Sequence, residues 1–245
     1  MTMYVYGVHP VEELLARASN RVEEVVVAGD LTDHQFATIA ERVDRTNTPT
    51  RTVGYEELDR LAEGGNHQRI AAKVSDYPYL TLDEARAVAD RSDGHGLIVA
   101  LAGVQDPHNL GAILRSAGAL GADAVVIPKH RAAQMTPAVA RASAGVAFQV
   151  PIARVTNLAK ALRKLQDGGW WTVGTVADDA QPLWQIDWQM DAVVVMGGEH
   201  KGMRPGVEKV CDFRVEIPMA KGVESLNVSV ACGIALYDRL RSLKG

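Results

Sequence analysis

The sequence is poor in the features that mark secreted, membrane or metal-built proteins. Cys211 and Cys232 are its only cysteines, and no CxxC spacing occurs. Neither a disulfide framework nor a structural zinc site is therefore indicated. The seven histidines are scattered and form no metal-ligand cluster, so no metal is expected. No apolar run approaches the ~20 residues that span a bilayer, which argues against a membrane partner. The start, Met1-Thr-Met-Tyr-Val-Tyr-Gly, lacks the charged and apolar regions of a signal peptide. Low-complexity tracts and internal repeats are missing too. These absences together lead us to expect a reduced, cytoplasmic protein. Basic excess is also missing: the net charge is −4 and the pI about 6.0, unlike most nucleic-acid binders. A sum does not exclude a local patch, however. Arg115, Lys129, His130, Arg131 and Arg141 fall within 27 residues that hold a single acid, Asp123. Such a run is either a solvated face or a surface for phosphates.

What is present is an ordinary globular composition, 47% hydrophobic and 23% charged over 245 residues, enough for one large domain or two smaller ones. Residues 1–76 alternate strands (4–6, 22–28, 50–53, 70–74) with helices (opening at His9-Pro10, then 32–45 and 55–62), the pattern of a small α/β unit. Tyr77-Pro-Tyr-Leu breaks it. A helix over 82–89 and the loop chemistry of Arg91-Ser-Asp-Gly-His-Gly mark 77–94 as a linker. From 95 to 245 the alternation resumes on a larger scale. Strands are predicted at 97–102, 124–127, 148–152, 170–176, 192–196 and 213–217, and helices at 110–120, from Thr136-Pro137, at 158–165 and at 227–243. Near-continuous apolar strands predict a parallel sheet covered on both faces.

Three polar loops at the ends of apolar runs stand out, because α/β proteins assemble one site from such loops. The first is Asp106-Pro-His-Asn-Leu-Gly-Ala-Ile-Leu-Arg-Ser-Ala117. Asn109 in it is either a helix N-cap or a site residue. Arg115 follows six residues later, roughly 9 Å along a helix. It is flanked by Ala112, Ser116, Ala117 and Gly118, a face that a phosphate can approach. The second is Val193-Val-Val-Met-Gly-Gly-Glu-His-Lys-Gly202, where Gly197 and Gly198 permit a sharp turn or a close ligand. Glu199 at that strand end is the acid most suited to a site, and His200 suits a surface position better than that of a base. The third is Ile217-Pro-Met-Ala-Lys-Gly-Val-Glu-Ser-Leu-Asn-Val-Ser-Val-Ala231, in which Ser225 and Asn227 stand where a helix begins. The dinucleotide fingerprint GxGxxG, the phosphate loop GxxxxGK[ST] and the nucleophile elbow GxSxG are all missing.

Together the three stretches resemble the three signature motifs of the SpoU (TrmH) branch of the SPOUT RNA methyltransferases, in the family's order and spacing. The start, Tyr4-Val-Tyr-Gly-Val-His-Pro-Val-Glu-Glu-Leu-Leu15, resembles the small RNA-binding domain of those members that methylate a 23S rRNA guanosine. The resemblance implies an L30e-like N-terminal RNA-binding domain (1–76), a linker (77–94) and a SPOUT α/β domain (95–245) with a deep C-terminal trefoil knot. It further implies S-adenosylmethionine as cofactor, RNA as partner, and a homodimer with active sites completed across the interface. Carried over by motif, the catalytic set is Asn109, Arg115, Glu199, Ser225 and Asn227. The cofactor would lie against Thr175, Val176, Met196, Gly197, Ile217, Met219, Ser225 and Leu226. The implied reaction is methylation of a ribose 2′-hydroxyl, with a guanosine in the peptidyl-transferase P-site loop of 23S rRNA as target. Such a transfer needs no metal, only a hydroxyl held in line with the methyl and a cation beside it. Arginine stays protonated in proteins, so positioning and charge stabilisation suit Arg115 better than the role of base. A tRNA guanosine, a resistance-type rRNA target, or a silent RNA-binding protein of the same fold are the alternatives.

Overall fold

The structure is a computed structural model that describes residues 3–75, 77–91, 94–177, 179–199 and 202–244. It divides into two compact units. The first comprises Met1–Tyr77 and Met135–Gln149. Its four-stranded sheet is built from β1 (Met3–Tyr6), β2 (Val22–Val27), β3 (Thr50–Thr52) and β4 (Ile70–Val74), in the order β1-β4-β2-β3. Only β2 and β3 run parallel. The helices are α1 (Val8–Arg17), α2 (Ala37–Thr46) and α3 (Tyr55–Leu61). Val11, Leu14 and Leu15 of α1, Ile39 of α2 and Leu58 of α3 are buried with Val25, Val26 and Ile70. Each such side chain contributes about 1.5–3 kcal/mol on leaving water. The second helix is shorter than its periodicity predicts. Asp30 accepts the Thr32 amide at 2.9 Å and holds a turn, so a 3₁₀ turn at His34–Phe36 precedes the α-helix.

The second unit comprises Pro78–Gln134 and Val150–Gly245. Its strands are β5 (Leu97–Leu101), β6 (Ala124–Pro128), β7 (Ile152–Val155), β8 (Trp171–Val176), β9 (Gln181–Pro182), β10 (Ala192–Met196) and β11 (Phe213–Glu216). All pair in parallel, in the order β7-β6-β5-β10-β8-β11-β9. β5 and β10 are buried along their whole length, as the unbroken apolar runs require. The helices are α4 (Leu82–Ala89), α5 (Pro107–Ala119), α6 (Pro137–Ala142, in the first unit's segment), α7 (Leu158–Gln166), α8 (Pro205–Glu208) and α9 (Val228–Lys244). At the amino-terminal ends of the strands, Arg239 of α9 is buried and donates to the carbonyls of His95 and Gly96. Burial lowers its pKa, which Asp123 and Asp191 oppose. Among the described residues no helix is long and apolar enough to cross a membrane.

Three segments fall otherwise than the sequence pattern predicts. The 77–94 stretch is no free linker from Pro78 onward. α4 opens with a reciprocal cap, Thr81 accepting the Glu84 amide at 3.3 Å and Glu84 accepting the Thr81 amide at 2.7 Å, which holds the Glu84 carboxyl below its usual range. Its Ala85 and Ala89 are buried in the same cluster as Ile98 and Ala100. Residues 135–149 group with the first unit instead of the second. There Arg141 lies 4.0 Å from the Tyr6 ring centroid, and Phe148 packs near Tyr77 at 6.3 Å. The predicted strand at 148–152 is instead a 3₁₀ turn, Val146–Phe148, and the strand starts at Ile152. The Ser143 hydroxyl accepts the Ala147 amide at 3.2 Å, and Pro151 has no amide to give a ladder.

Candidate active site

In a parallel sheet the crevice for ligands opens where strand order reverses, beyond the carboxyl ends. Here β5 leads outward to β6 and β7, while β10 leads the other way. The loops after β5 and β10 meet at that point. Gly198 explains how they come so close: a Cβ there would stand 2.9 Å from the carbonyl oxygen of Gly103. A Cβ on Gly197 would stand 2.8 Å from the backbone of Gly202, because the loop doubles back with the Gly198 amide on the Gly202 carbonyl at 2.9 Å. Backbone packing against backbone, and not only ligand approach, thus demands both glycines.

Glu199 clasps the two loops. Its carboxylate accepts the amides of Gln105 at 3.3 Å and Asp106 at 3.0 Å, and the Asn109 side-chain amide at 2.9 Å. Asn109 does not cap α5: Asp106 does, accepting the His108 amide at 2.8 Å. Freed from that task, the Asn109 oxygen accepts from the Asn227 amide nitrogen at 3.0 Å. Asn227 in turn caps α9, its oxygen accepting the Ser229 amide at 2.9 Å and hydroxyl at 2.6 Å. A continuous chain Asn227–Asn109–Glu199 thereby joins all three polar loops, with every amide orientation dictated by the next partner.

Beside this chain lies an open cavity of about 130 Å³. All eight residues expected at the cofactor line it: Thr175, Val176, Met196, Gly197, Ile217, Met219, Ser225 and Leu226. The Thr175 hydroxyl donates to the Val195 carbonyl at 3.1 Å, which fixes the end of β8 to β10. An apolar slot with strand-end backbone at its rim and the acidic Glu224 in its wall suits a flat adenosine carrying a cationic sulfonium. A wider, more polar cleft of about 700 Å³ adjoins it and includes Asn109, Glu199, Ser225 and Asn227. Four of the five expected catalytic residues therefore share one cleft.

Arg115 is the exception. It is exposed on α5 and makes no hydrogen bond or ion pair among the described residues. Six residues turn a helix by about 600°, so it points roughly 120° away from Asn109. Ser225 is exposed, with its hydroxyl unpartnered among the described residues. His200 lies outside the described residues. Sequence reasoning missed the amides of Gln105 and Asp106, whose role only a folded loop reveals. It also missed the ion pair of Glu208 and Arg214, 3.1 Å apart in the wall of the wider cleft, for which the sequence carries no signal.

Comparison with known proteins agrees with this geometry. The profile of the SpoU rRNA Methylase family matches residues 96–237. That of RNA 2′-O ribose methyltransferase substrate binding matches residues 4–80. The chain is 42% identical over 237 residues to the 23S rRNA (guanosine-2′-O-)-methyltransferase RlmB of Pseudomonas aeruginosa, covering 97% of this chain and 95% of that one. It is 38% identical over 244 residues to the RlmB of Salmonella typhimurium, covering 98% and 99%. Among solved structures, the SpoU methyltransferase AviRb from Streptomyces viridochromogenes, in complex with the cofactor AdoMet, superposes with a TM-score of 0.81 at 23% identity, over 100% of this chain and 92% of that one. With its motif loops gathered on one cleft and these matches along nearly its whole length, the chain belongs to the SpoU rRNA methylase family.

Proposed function

We propose that this protein methylates the ribose 2′-hydroxyl of a guanosine in 23S rRNA, with S-adenosylmethionine as donor. The observation that carries the reading is the chain Asn227–Asn109–Glu199 at the rim of a cavity walled by all eight expected cofactor residues. The guanosine and the 23S rRNA come from the names of the relatives, with which the chain aligns almost end to end. A cytoplasmic location fits such a target.

S-adenosylmethionine supplies an electrophilic methyl when bound. The protein's task is to hold O2′ in line with that methyl and to stabilise charge as the hydroxyl loses its proton. Asn109 and Asn227 are neutral and already ordered, so they orient the ribose without reorganising. Glu199 keeps the two loops in register and does not serve as base, since three donors occupy its carboxylate. Ser225, free and exposed, is available to the ribose. Arg115 works across a dimer interface. On α9, Val230, Ile234 and Tyr237 form an exposed apolar stripe, 50%, 38% and 58% accessible, which a second subunit covers. Arg115 then clamps a phosphate beside the target ribose in the partner's cleft, where its planar fork suits a phosphate. The first unit grips RNA, in line with its substrate-binding match. The deep trefoil knot of the SPOUT fold belongs to the same reading, supported by the family match over residues 96–237.

Incubation with labelled S-adenosylmethionine and unmodified 23S rRNA tests this. Label should enter one guanosine and block alkaline cleavage on its 3′ side, because that cleavage uses the 2′-hydroxyl. Label on a base, or none at all, contradicts the proposal.

A further inference from the structure

The basic loop after β6 remains without a task. Lys129, His130 and Arg131 are all exposed, and no acidic group pairs with them among the described residues. Residues 124–134 and 150–166, which supply β6, β7 and α7, hold six Lys or Arg and no Asp or Glu, in a chain whose net charge is −4. The loop is also fixed in place. The Lys129 amide donates to the Val155 carbonyl at 2.8 Å. The Gln134 side-chain amide donates to the carbonyls of Pro128, Ala132 and Ala133 at 3.1–3.2 Å. Arg131 is held at φ 55, a left-handed conformation that a non-glycine residue keeps only where its surroundings impose it.

Its position ties it to the site. The Ala133 amide donates to the Val104 carbonyl at 2.9 Å, and Val104 directly precedes the two amides that hold Glu199. β6 ends on the same side of the sheet as β10, two strands away, or about 10 Å. Cations this close to the cleft, unpaired with any acid among the described residues, form a track for a polyanion entering it.

We propose that Lys129 and Arg131 seat phosphates of the substrate RNA next to the methylated nucleotide, on the β6 side of the cleft. This rests on the reading of the substrate as RNA. The loop sets affinity and register and takes no part in the chemistry, so its loss raises KM for RNA and leaves cofactor affinity unchanged.

The test is binding of a fluorescent oligouridylate to the full-length protein across a range of potassium chloride. In Lys129→Ala/Arg131→Ala the slope of log K against log salt should flatten by about 1.4, at about 0.7 per phosphate contact on a single strand. Arg241→Ala/Lys244→Ala removes the same charge at the far end of α9, about 24 Å from Asn227, and should keep the wild-type slope. Calorimetry should show S-adenosylmethionine affinity unchanged in both. An unaltered slope in the loop variant, or an equal loss in the distal control, overturns the proposal. A wild-type protein that binds the oligonucleotide with the expected slope but transfers no methyl refutes the methylation reading and leaves the loop assignment standing. A wild-type protein that binds no RNA refutes both.

Discussion

Replacing Glu199 by Gln probes the clasp with almost no change of shape. One carboxylate oxygen accepts from Asp106 at 3.0 Å and from Asn109 at 2.9 Å, while the other accepts from Gln105 at 3.3 Å. Glutamine keeps one oxygen and turns an NH₂ group toward the third donor. Two charge-assisted bonds of about 1.5–3 kcal/mol become neutral ones of about 1, and the third is lost. Glu199 is half-buried, so solvent recovers part of this. A net loss of about 2 kcal/mol follows, which lowers Tm by about 4–8 °C for a chain of this size. The larger effect falls on turnover. Asn109 loses its charged partner, and a displacement of about 1 Å at a positioning residue costs on the order of 10²-fold. The assay pairs urea denaturation with initial rates of methyl transfer, for Glu199→Gln, Asn109→Ala and the double variant. The two sites should couple by about 1 kcal/mol in stability. Glu199→Gln with unchanged Tm and normal turnover, or zero coupling to Asn109, refutes the clasp.

Arg115→Ala should abolish turnover and leave S-adenosylmethionine binding intact by calorimetry, and mixing it with Glu199→Gln should restore activity through dimers that hold one complete site; no restoration places Arg115 elsewhere. Gly198→Ala forces a Cβ to 2.9 Å from the Gly103 oxygen, and overpacking of about 1–3 kcal/mol should weaken cofactor binding roughly tenfold by calorimetry. Burial pushes the Cys211 and Cys232 thiols up to about 12. The native thiols should therefore resist alkylation at pH 8. Stability should hold below about pH 9, where thiols of the unfolded chain ionise, and fall as pH rises from there toward 12. Fast alkylation of the folded protein, or alkaline stability unchanged when both cysteines become Ala, contradicts this.

Much of the site was legible because its chemistry sits in three short polar loops, each bounded by an apolar run. Glycine pairs, an acid at a strand end and N-cap residues are local signals, and the loops converge because parallel strands end on one side. What sequence hid was choice of partner. Asp106 and Asn109 are equally good caps, and only the helix start at Pro107 shows which residue is free to join the site. Residues 135–149 read as the next helix in an alternation, yet Arg141 meets Tyr6, some 130 positions away in sequence. Nothing local in Thr136-Pro-Ala-Val states that preference. Helix geometry already placed Arg115 off the face of Asn109, so its separation from the cleft within one chain was readable from spacing alone.

Ribose methylation of one 23S rRNA guanosine is the reaction assigned to this cleft. Its most direct test maps 2′-O-methylation in rRNA from a strain lacking the gene, re-expressing either the intact protein or the Asn109→Ala variant. A single 2′-O-methylguanosine should disappear from 23S rRNA, return with the intact protein and stay absent with the variant. Unchanged ribose methylation in the deletion strain, or full restoration by Asn109→Ala, would contradict it.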